Sequence, residues 1–320
     1  MIGAWLKSCV DYFTQASDVV TKAVEGAGVR MSLARFVTGL VAMVPVNFVA
    51  GYIPKGSAPH LFGAASTIGL LAFSYGWDVE QFVYAGALVY LLMKSFPRKC
   101  GYLTWATVFT YQIYLHYERS SEAAWNSGDI DFTGSFMMLV LKLISLSMDY
   151  QDGVTGKKTK HAFTKMPTLL EFCGYLGGMN GIMVGPHFYY DDYVRYANDL
   201  GEYATTPEFG RRALPAARAL VSSIGCATLF AVATSTIPRS AVMFSNDTSL
   251  SMPKRLVLSF IANIGYRSRF YFAWFLSESA YILSGESDPP THPFIHRDQS
   301  SDDANQLTPH PSSLSLSPFC

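Results

Sequence analysis

From Leu33 to Leu283 the chain returns again and again to uninterrupted apolar runs close to membrane length, and this narrows what it can fold into. The runs are Leu33 to Ile53, Leu61 to Tyr75, Val79 to Met93, Leu103 to Tyr117, Phe136 to Met148, Thr168 to Pro186, Ala216 to Ile237 and Leu256 to Leu283. A straight crossing takes about 20 apolar residues, so about eight such segments predict an all-α fold, a polytopic transmembrane helical bundle. Several runs are short and the last is long, so some segments are expected to be tilted, re-entrant or broken. Continuous runs exclude a membrane β-barrel, whose strands would alternate apolar and polar residues. Composition agrees, with 50% hydrophobic and only 15% charged residues. A soluble domain would break its apolar runs with charged faces. The net charge of zero argues against a nucleic-acid-binding surface.

Organisation follows from where the apolar pattern starts and stops. Lys7 and Asp11 interrupt what would be the apolar core of a signal peptide. Residues 1–32 are instead expected to hold an amphipathic helix, with Trp5, Cys9, Tyr12, Phe13, Ala16, Val20 and Ala23 on one face. Such a helix either lies in the membrane interface or packs on the bundle. Residues 33–285 form the membrane domain. Residues 286–320 are rich in Ser, Pro and Asp and are expected to be disordered, because they hold too little apolar surface to fold. The five cysteines show neither a disulfide framework nor a CxxC spacing, and no metal site is expected.

Charge in the connections predicts orientation. Lys94 to Lys99 and Lys157 to Lys165 are basic and are expected on the cytosolic side, while Glu118, Glu122, Asp129 and Asp131 make the loop between them acidic. Simple alternation then places Asp191 to Leu214 on the far side and Arg239 to Arg255 on the cytosolic side. The Asn246-Asp-Thr248 glycosylation sequon would require the opposite, and the charge pattern is preferred over it.

The stretch Met166-Pro-Thr-Leu-Leu-Glu-Phe-Cys-Gly-Tyr carries a lone carboxylate, Glu171, at the head of an apolar segment ending at Gly185-Pro186. A charge there is either functional or paired, with Lys142 or Asn180 as partners that would hold two helices together. Glycines 174 and 178, and 177, 181 and 185, repeat at intervals of four and read as a close-packing ladder. Asp149 and Asp152 sit where a span meets the basic loop. They either cap a helix and neutralise Lys157 and Lys158, or line an opening. Arg267, Arg269 and Glu278 lie in the last long run, where either Glu278 pairs with Arg269 or the arginines line a water-filled cavity. Among the histidines, His60, His116 and His161 read as solvated residues at span ends and in loops. His187 heads a His-x-x-x-x-Asp spacing with Asp192, which would suit a carboxylate-oriented base; a place in an interfacial aromatic belt with Phe188, Tyr189, Tyr190 and Tyr193 is the simpler reading.

Taken in order, Asp149-Tyr150, Asp152-Gly153, Pro167, Glu171 and Gly185-Pro186 resemble the membrane-bound O-acyltransferase family, and most closely its lysophospholipid acyltransferases of the lysophosphatidylcholine and lysophosphatidylserine type. The likeness is tight from Leu139 to Phe188 and looser from Leu33 to Gly285. It implies a multi-pass enzyme of the endoplasmic reticulum membrane that moves a fatty acyl group from acyl-coenzyme A to the free hydroxyl of a lysophospholipid. Acyl-coenzyme A would be a co-substrate, with no resident cofactor. It further implies an intramembrane histidine as general base, an assisting asparagine upstream of it, and a chamber open to cytosol and bilayer. Lys142, Asp149, Tyr150, Asp152, Glu171, Asn180 and Pro186 are then candidates for the chamber or the substrate, and Lys157, Lys158, Lys160 and Lys165 for the mouth that admits acyl-coenzyme A. After Ile282-Leu-Ser-Gly285 the resemblance stops, and the family's catalytic asparagine and histidine have no counterpart in 1–320. The expectation is a C-terminally truncated acyltransferase, with His187 the one substitute base, or else a non-catalytic membrane protein that binds lipid or a full-length partner.

Overall fold

A computed structural model describes residues 2–24, 30–119, 130–178, 181–185, 187–200, 209–236 and 251–285, with side chains of the first helix described from 7 to 22. Among the described residues the structure is helical throughout. The helices are α1 (Ile2–Val24), α2 (Met31–Ala50), α3 (Ser57–Tyr75), α4 (Val79–Ser95), α5 (Cys100–Arg119), α6 (Thr133–Thr155), α7 (Leu169–Gly177), α8 (Tyr190–Ala197), α9 (Phe209–Thr236) and α10 (Met252–Ser284). Every apolar run except Thr168 to Pro186 falls within one helix, to within a few residues at its ends. Among the described residues two helices, α2 and α9, each hold a stretch long and apolar enough to cross a membrane. Only 33% of that stretch of α2 and 22% of that of α9 is buried, and Val41, Val49, Val221, Ile224 and Val232 are exposed, as lipid favours and water does not.

The core is built around α6. Phe136, Leu139, Leu143 and Leu146 recur at helical spacing and are wholly or almost wholly buried, packing with Phe82 of α4 and Phe172 and Tyr175 of α7. The α3–α7 contact is closer still. A Cβ at Gly174 would lie 2.6 Å from the His60 Cα, and one at Gly177 would strike the Gly63 carbonyl, so these glycines let two backbones meet. In α1 the face that packs inward carries Val10, Phe13, Ser17 and Thr21, rotated from the expected stripe, and Tyr12 is exposed. An Asp18–Arg35 ion pair of 2.7 Å ties that helix to α2.

The segment Thr168 to Pro186 is one in which the expected break occurs. Its helix, α7, has nine residues and then ends, far short of a crossing. The chain enters beside Tyr90, whose hydroxyl donates to the Pro167 carbonyl, and runs inward to Met183, whose carbonyl accepts from Ser135 near the opposite end of α6. It then returns, because Tyr190 packs on Phe163 and Phe163 packs on Tyr150, close to the C-terminus of α6. The segment is therefore re-entrant. Glycine weakens helix continuation at Gly177-Gly178, and the first half of the predicted ladder serves close approach to α3 while the second half lies past the helix.

Re-entry changes the alternation. The Gly101 N–H donates to Gln151, which brings the two basic loops, before α5 and after α6, to one end of the bundle. At that same end the Tyr196 hydroxyl donates to the Ser284 carbonyl and Arg212 donates to Leu283, so the start of α9 and the finish of α10 lie there too. The other ends of this hairpin, Thr236 and Met252, lie at the opposite end, contrary to the orientation expected from charge. Asn246 itself, like the tail 286–320, lies outside the described residues.

Candidate functional site

The residues that carry the resemblance gather around the C-terminal end of α6 and the two feet of the re-entrant segment. Helix α6 runs through Asp149-Tyr-Gln-Asp-Gly and stops at Gly156, whose φ of 79° is a left-handed cap open to glycine. Each member of this stretch has a distinct contact. Gln151 accepts from the Gly101 backbone at 3.0 Å, Tyr150 packs on Phe163, and Asp152 pairs with Lys157 at 3.0 Å. Gly153 lies so close to the Phe163 backbone that any side chain would collide with it. Asp149, the first residue past the apolar run, accepts from Ser145 at 3.3 Å, and its carbonyl accepts from the Phe163 N–H at 3.4 Å. Burial pushes the Asp149 carboxyl up to about 6, against the lowering effect of nearby His161.

The loop 156–168 is thus seated on the end of α6, and His161 holds its other side. The His161 ring lies flat on Tyr189, with centroids 3.6 Å apart and planes within 4°, and its Nδ1 is 2.8 Å from Asp191 Oδ1. Asp191 also faces Arg195 at 3.8 Å. His161, Asp191 and Asp192 bring one donor atom each within 4.8 Å of one another, but Asp191 is already shared between an imidazole and a guanidinium, which makes this an ion-pair network. The histidine expected to be solvated is therefore ordered, and the imidazole–carboxylate pair that forms is His161–Asp191, not His187–Asp192.

His187 is half-buried, edge-on to Tyr189 at 5.4 Å, and makes no hydrogen bond among the described residues. Burial, with help from the Lys142 and His161 charges, lowers it to about 4.

Lys142 and Glu171 sit at opposite ends of α7, and no pair between them forms. Glu171 belongs to a capping box: its Oε2 accepts from the Thr168 N–H at 2.7 Å while Thr168 Oγ1 accepts from the Glu171 N–H at 3.2 Å. This satisfies two of the donors that a helix start leaves open. Lys142 is fully buried, and its Nζ donates to the carbonyls of Tyr175 and Leu176 at 3.1 and 3.3 Å, with the Phe188 ring centroid 4.3 Å away. A cation at the negative end of a helix dipole, against an aromatic face, is a stable way to bury a charge. Asn180 and Pro186 lie outside the described residues.

Of the expected basic mouth, Lys157 is engaged by Asp152. Lys158, Lys160 and Lys165 are exposed and make no ion pair among the described residues. In α10, Arg269 stacks on Phe270 and Arg267 donates to Tyr271, so neither meets Glu278. His60, also expected to be solvated, is buried, with its Nδ1 2.7 Å from the Tyr193 hydroxyl. Near it a small cleft of about 10 Å³ opens between Asn47, Ala50, Pro59, Gly63, Gly178 and Tyr193, room for about one water molecule and far below the size of a ligand pocket.

An all-helical bundle with outward apolar faces, a re-entrant segment and a polar, aromatic-rich mouth defines a membrane-embedded protein with a site built between helices. The chain belongs to the membrane-bound O-acyltransferase family, whose model matches residues 119–300. It is 29% identical over 267 residues to lysophospholipid acyltransferase 1 of Arabidopsis thaliana, covering 81% of this chain and 58% of that protein. It is 30% identical over 268 residues to lysophospholipid acyltransferase 2 of the same plant, covering 81% and 57%. With the mouse membrane-bound glycerophospholipid O-acyltransferase 2 it shares 24% over 257 residues, covering 71% and 47%. The chain spans about half the length of the curated relatives it matches.

Proposed function

We propose that this protein is a lysophospholipid acyltransferase, transferring a fatty acyl group from acyl-coenzyme A to the hydroxyl of a lysophospholipid in a multi-pass membrane setting, that of the endoplasmic reticulum. One observation carries the reading. The motif set from Asp149 to Gly185 lies inside the family match, in a chain whose Arabidopsis relatives bear this activity in their names. In this reading about eight apolar segments of residues 33–285 form the chamber wall, some of them re-entrant, residues 1–32 are the packing helix at its side, and 286–320 is a tail. The basic-loop end faces the cytosol, where acyl-coenzyme A is found.

The chemistry needs a base that takes the hydroxyl proton as the alkoxide attacks the thioester carbonyl. The carbon–sulfur bond then breaks and coenzyme A leaves as thiolate, to be protonated. The resemblance implies that this base is an intramembrane histidine with an assisting asparagine upstream of it. Residues 142–191 contribute shape and charge: a buried Lys142 that fixes α7, and a lysine-bearing loop at the mouth. No resident cofactor or metal is part of the proposal.

The test is acyl transfer from labelled acyl-coenzyme A to a panel of lysophospholipids, in microsomes expressing residues 1–320 alone or joined to the C-terminal remainder of the Arabidopsis relative. Product from the joined chain, above empty microsomes, is expected. If neither protein makes product nor is labelled by a photoreactive acyl-coenzyme A, although both accumulate in membranes, the proposal fails.

A further inference from the structure

The re-entrant segment has two feet, and the side chains of Phe163 and His161 join them. The inward foot is the loop 156–168, and the outward foot is the stretch from His187 into the first turn of α8. Phe163 of the first foot packs on Tyr190 of the second at 4.7 Å, and His161 stacks on Tyr189 and bonds Asp191. We propose that His161, through Asp191 and Tyr189, is a positioning residue that clamps the feet together and so sets the shape of the lysine loop that meets acyl-coenzyme A. The last clause rests on the acyltransferase reading; the clamp itself does not.

Three features single out His161 from a surface histidine. Its ring is held on two independent axes, by a flat stack and by an in-plane hydrogen bond, which fixes position and rotation together. It is flanked by Lys157, Lys158, Lys160 and Lys165, so any rotation of its backbone moves the residues that present positive charge. It also stands between that positive loop and the carboxylates Asp149, Asp191 and Asp192, of which Asp191 is shared with Arg195. With the clamp shut, those carboxylates are engaged below the loop. Lys158, Lys160 and Lys165 are left outward for the phosphates of the coenzyme.

The clamp makes a loop otherwise rich in trypsin sites resistant to cleavage. The experiment compares tryptic cleavage after Lys157, Lys158 and Lys160, and labelling by a photoreactive acyl-coenzyme A, in membranes holding wild type, His161→Ala, His161→Asn and Asp191→Ala. Expected are cleavage at least about fivefold faster in His161→Ala and Asp191→Ala, partial recovery in His161→Asn, whose amide can still donate to Asp191, and no further gain when His161→Ala and Asp191→Ala are combined in one chain. Competable labelling should fall in step with cleavage. Equal cleavage in wild type and His161→Ala overturns the clamp. Faster cleavage with unchanged labelling overturns its link to the coenzyme. A wild type that resists trypsin but is never labelled leaves the clamp standing and counts against the acyltransferase reading.

Discussion

The α3–α6–α7 region and the α9–α10 hairpin are both helical and apolar, yet they are held by different means. In the first, helices meet at backbone distance: Gly174 and Gly177 press on α3, Lys142 locks the end of α7, and aromatic rings from the neighbouring helices fill what remains. In the second, two long helices touch along one narrow seam of small residues. Ala216, Ala219, Ser223 and Ala233 face inward, and the Ser223 and Ser279 hydroxyls donate to carbonyls across the seam. The outer faces of the hairpin expose Val221, Ile224, Phe260 and Trp274. The first region can be stable through its own packing, whereas the second depends on lipid or further helices to cover it. Residues that fix a site's geometry belong to the first kind, which is where the family motif falls.

The sharpest way to break the comparison is to ask where the hairpin's free ends lie. If the re-entrant segment does not cross, Thr236 and Met252 face the lumen and the Asn246-Asp-Thr248 sequon is reachable by the glycosylation machinery. The expected result is a glycan-dependent gel shift, removed by endoglycosidase H and absent in Asn246→Gln. A cysteine introduced as Ser251→Cys should react with an impermeant maleimide only after the membranes are opened from the lumenal side. Labelling of intact microsomes from the cytosolic face would place the hairpin the other way up and make Thr168 to Pro186 a true crossing.

One substitution made in both regions should have opposite signs. At Gly177 a methyl group would collide with the Gly63 carbonyl, so Gly177→Ala should cost about 1–3 kcal/mol through overpacking. At Gly225, in the middle of α9, nothing lies within 4 Å of the new Cβ. There Gly→Ala should gain roughly 0.5–1 kcal/mol, because alanine loses less backbone entropy on entering a helix. Thermal unfolding of the detergent-solubilised protein reads both. Equal small effects would mean that the α3–α7 contact is looser than its geometry.

Much of this was legible in the residues. Apolar runs located the helices because a 3.6-residue repeat and an unbroken lipid face leave the same trace in any sequence. The end of α7 left a weaker trace, since Gly177-Gly178 weakens a helix without forbidding it, and a run that turns back has the same composition as one that crosses. The misplacement of the hairpin followed from that single miscount. Glu171 was read as a charge in search of a distant partner, although Thr168 three residues before it already spelled a capping box. Asp149, Tyr150 and Asp152 lie together near one helix end, because local order along a helix is preserved in sequence. His161 and Asp191, 30 residues apart with a re-entrant excursion between them, have no spacing rule that could pair them. The burial of His60 against Tyr193 depends likewise on a glycine-mediated approach that only the fold reveals.

The smallest effect concerns the seam where the two feet meet α6. The Asp149 carboxyl is held near 6 in the fold against an ordinary 3.8, because burial penalises its charge more than His161 and the Ser145 hydroxyl relieve it, while Asp152 and Asp191 oppose it further. A carboxyl whose folded value is raised binds its proton more tightly in the native state. Its contribution to stability is therefore complete below about pH 3.8 and is lost as the pH rises through about 6. Wild type should unfold at a lower temperature at pH 7 than at pH 5, and Asp149→Asn, which cannot ionise, should flatten that slope. With the group only half-buried the difference is expected below about 1 kcal/mol, or roughly 2–4 °C at most. Parallel pH slopes for wild type and Asp149→Asn would show that the proton sits elsewhere in the cluster, with Asp191 or Asp192 as the next positions to substitute. A flattened slope confined to Asp149→Asn would tie the mouth of the re-entrant segment to a single titrating group on the packed side of the molecule.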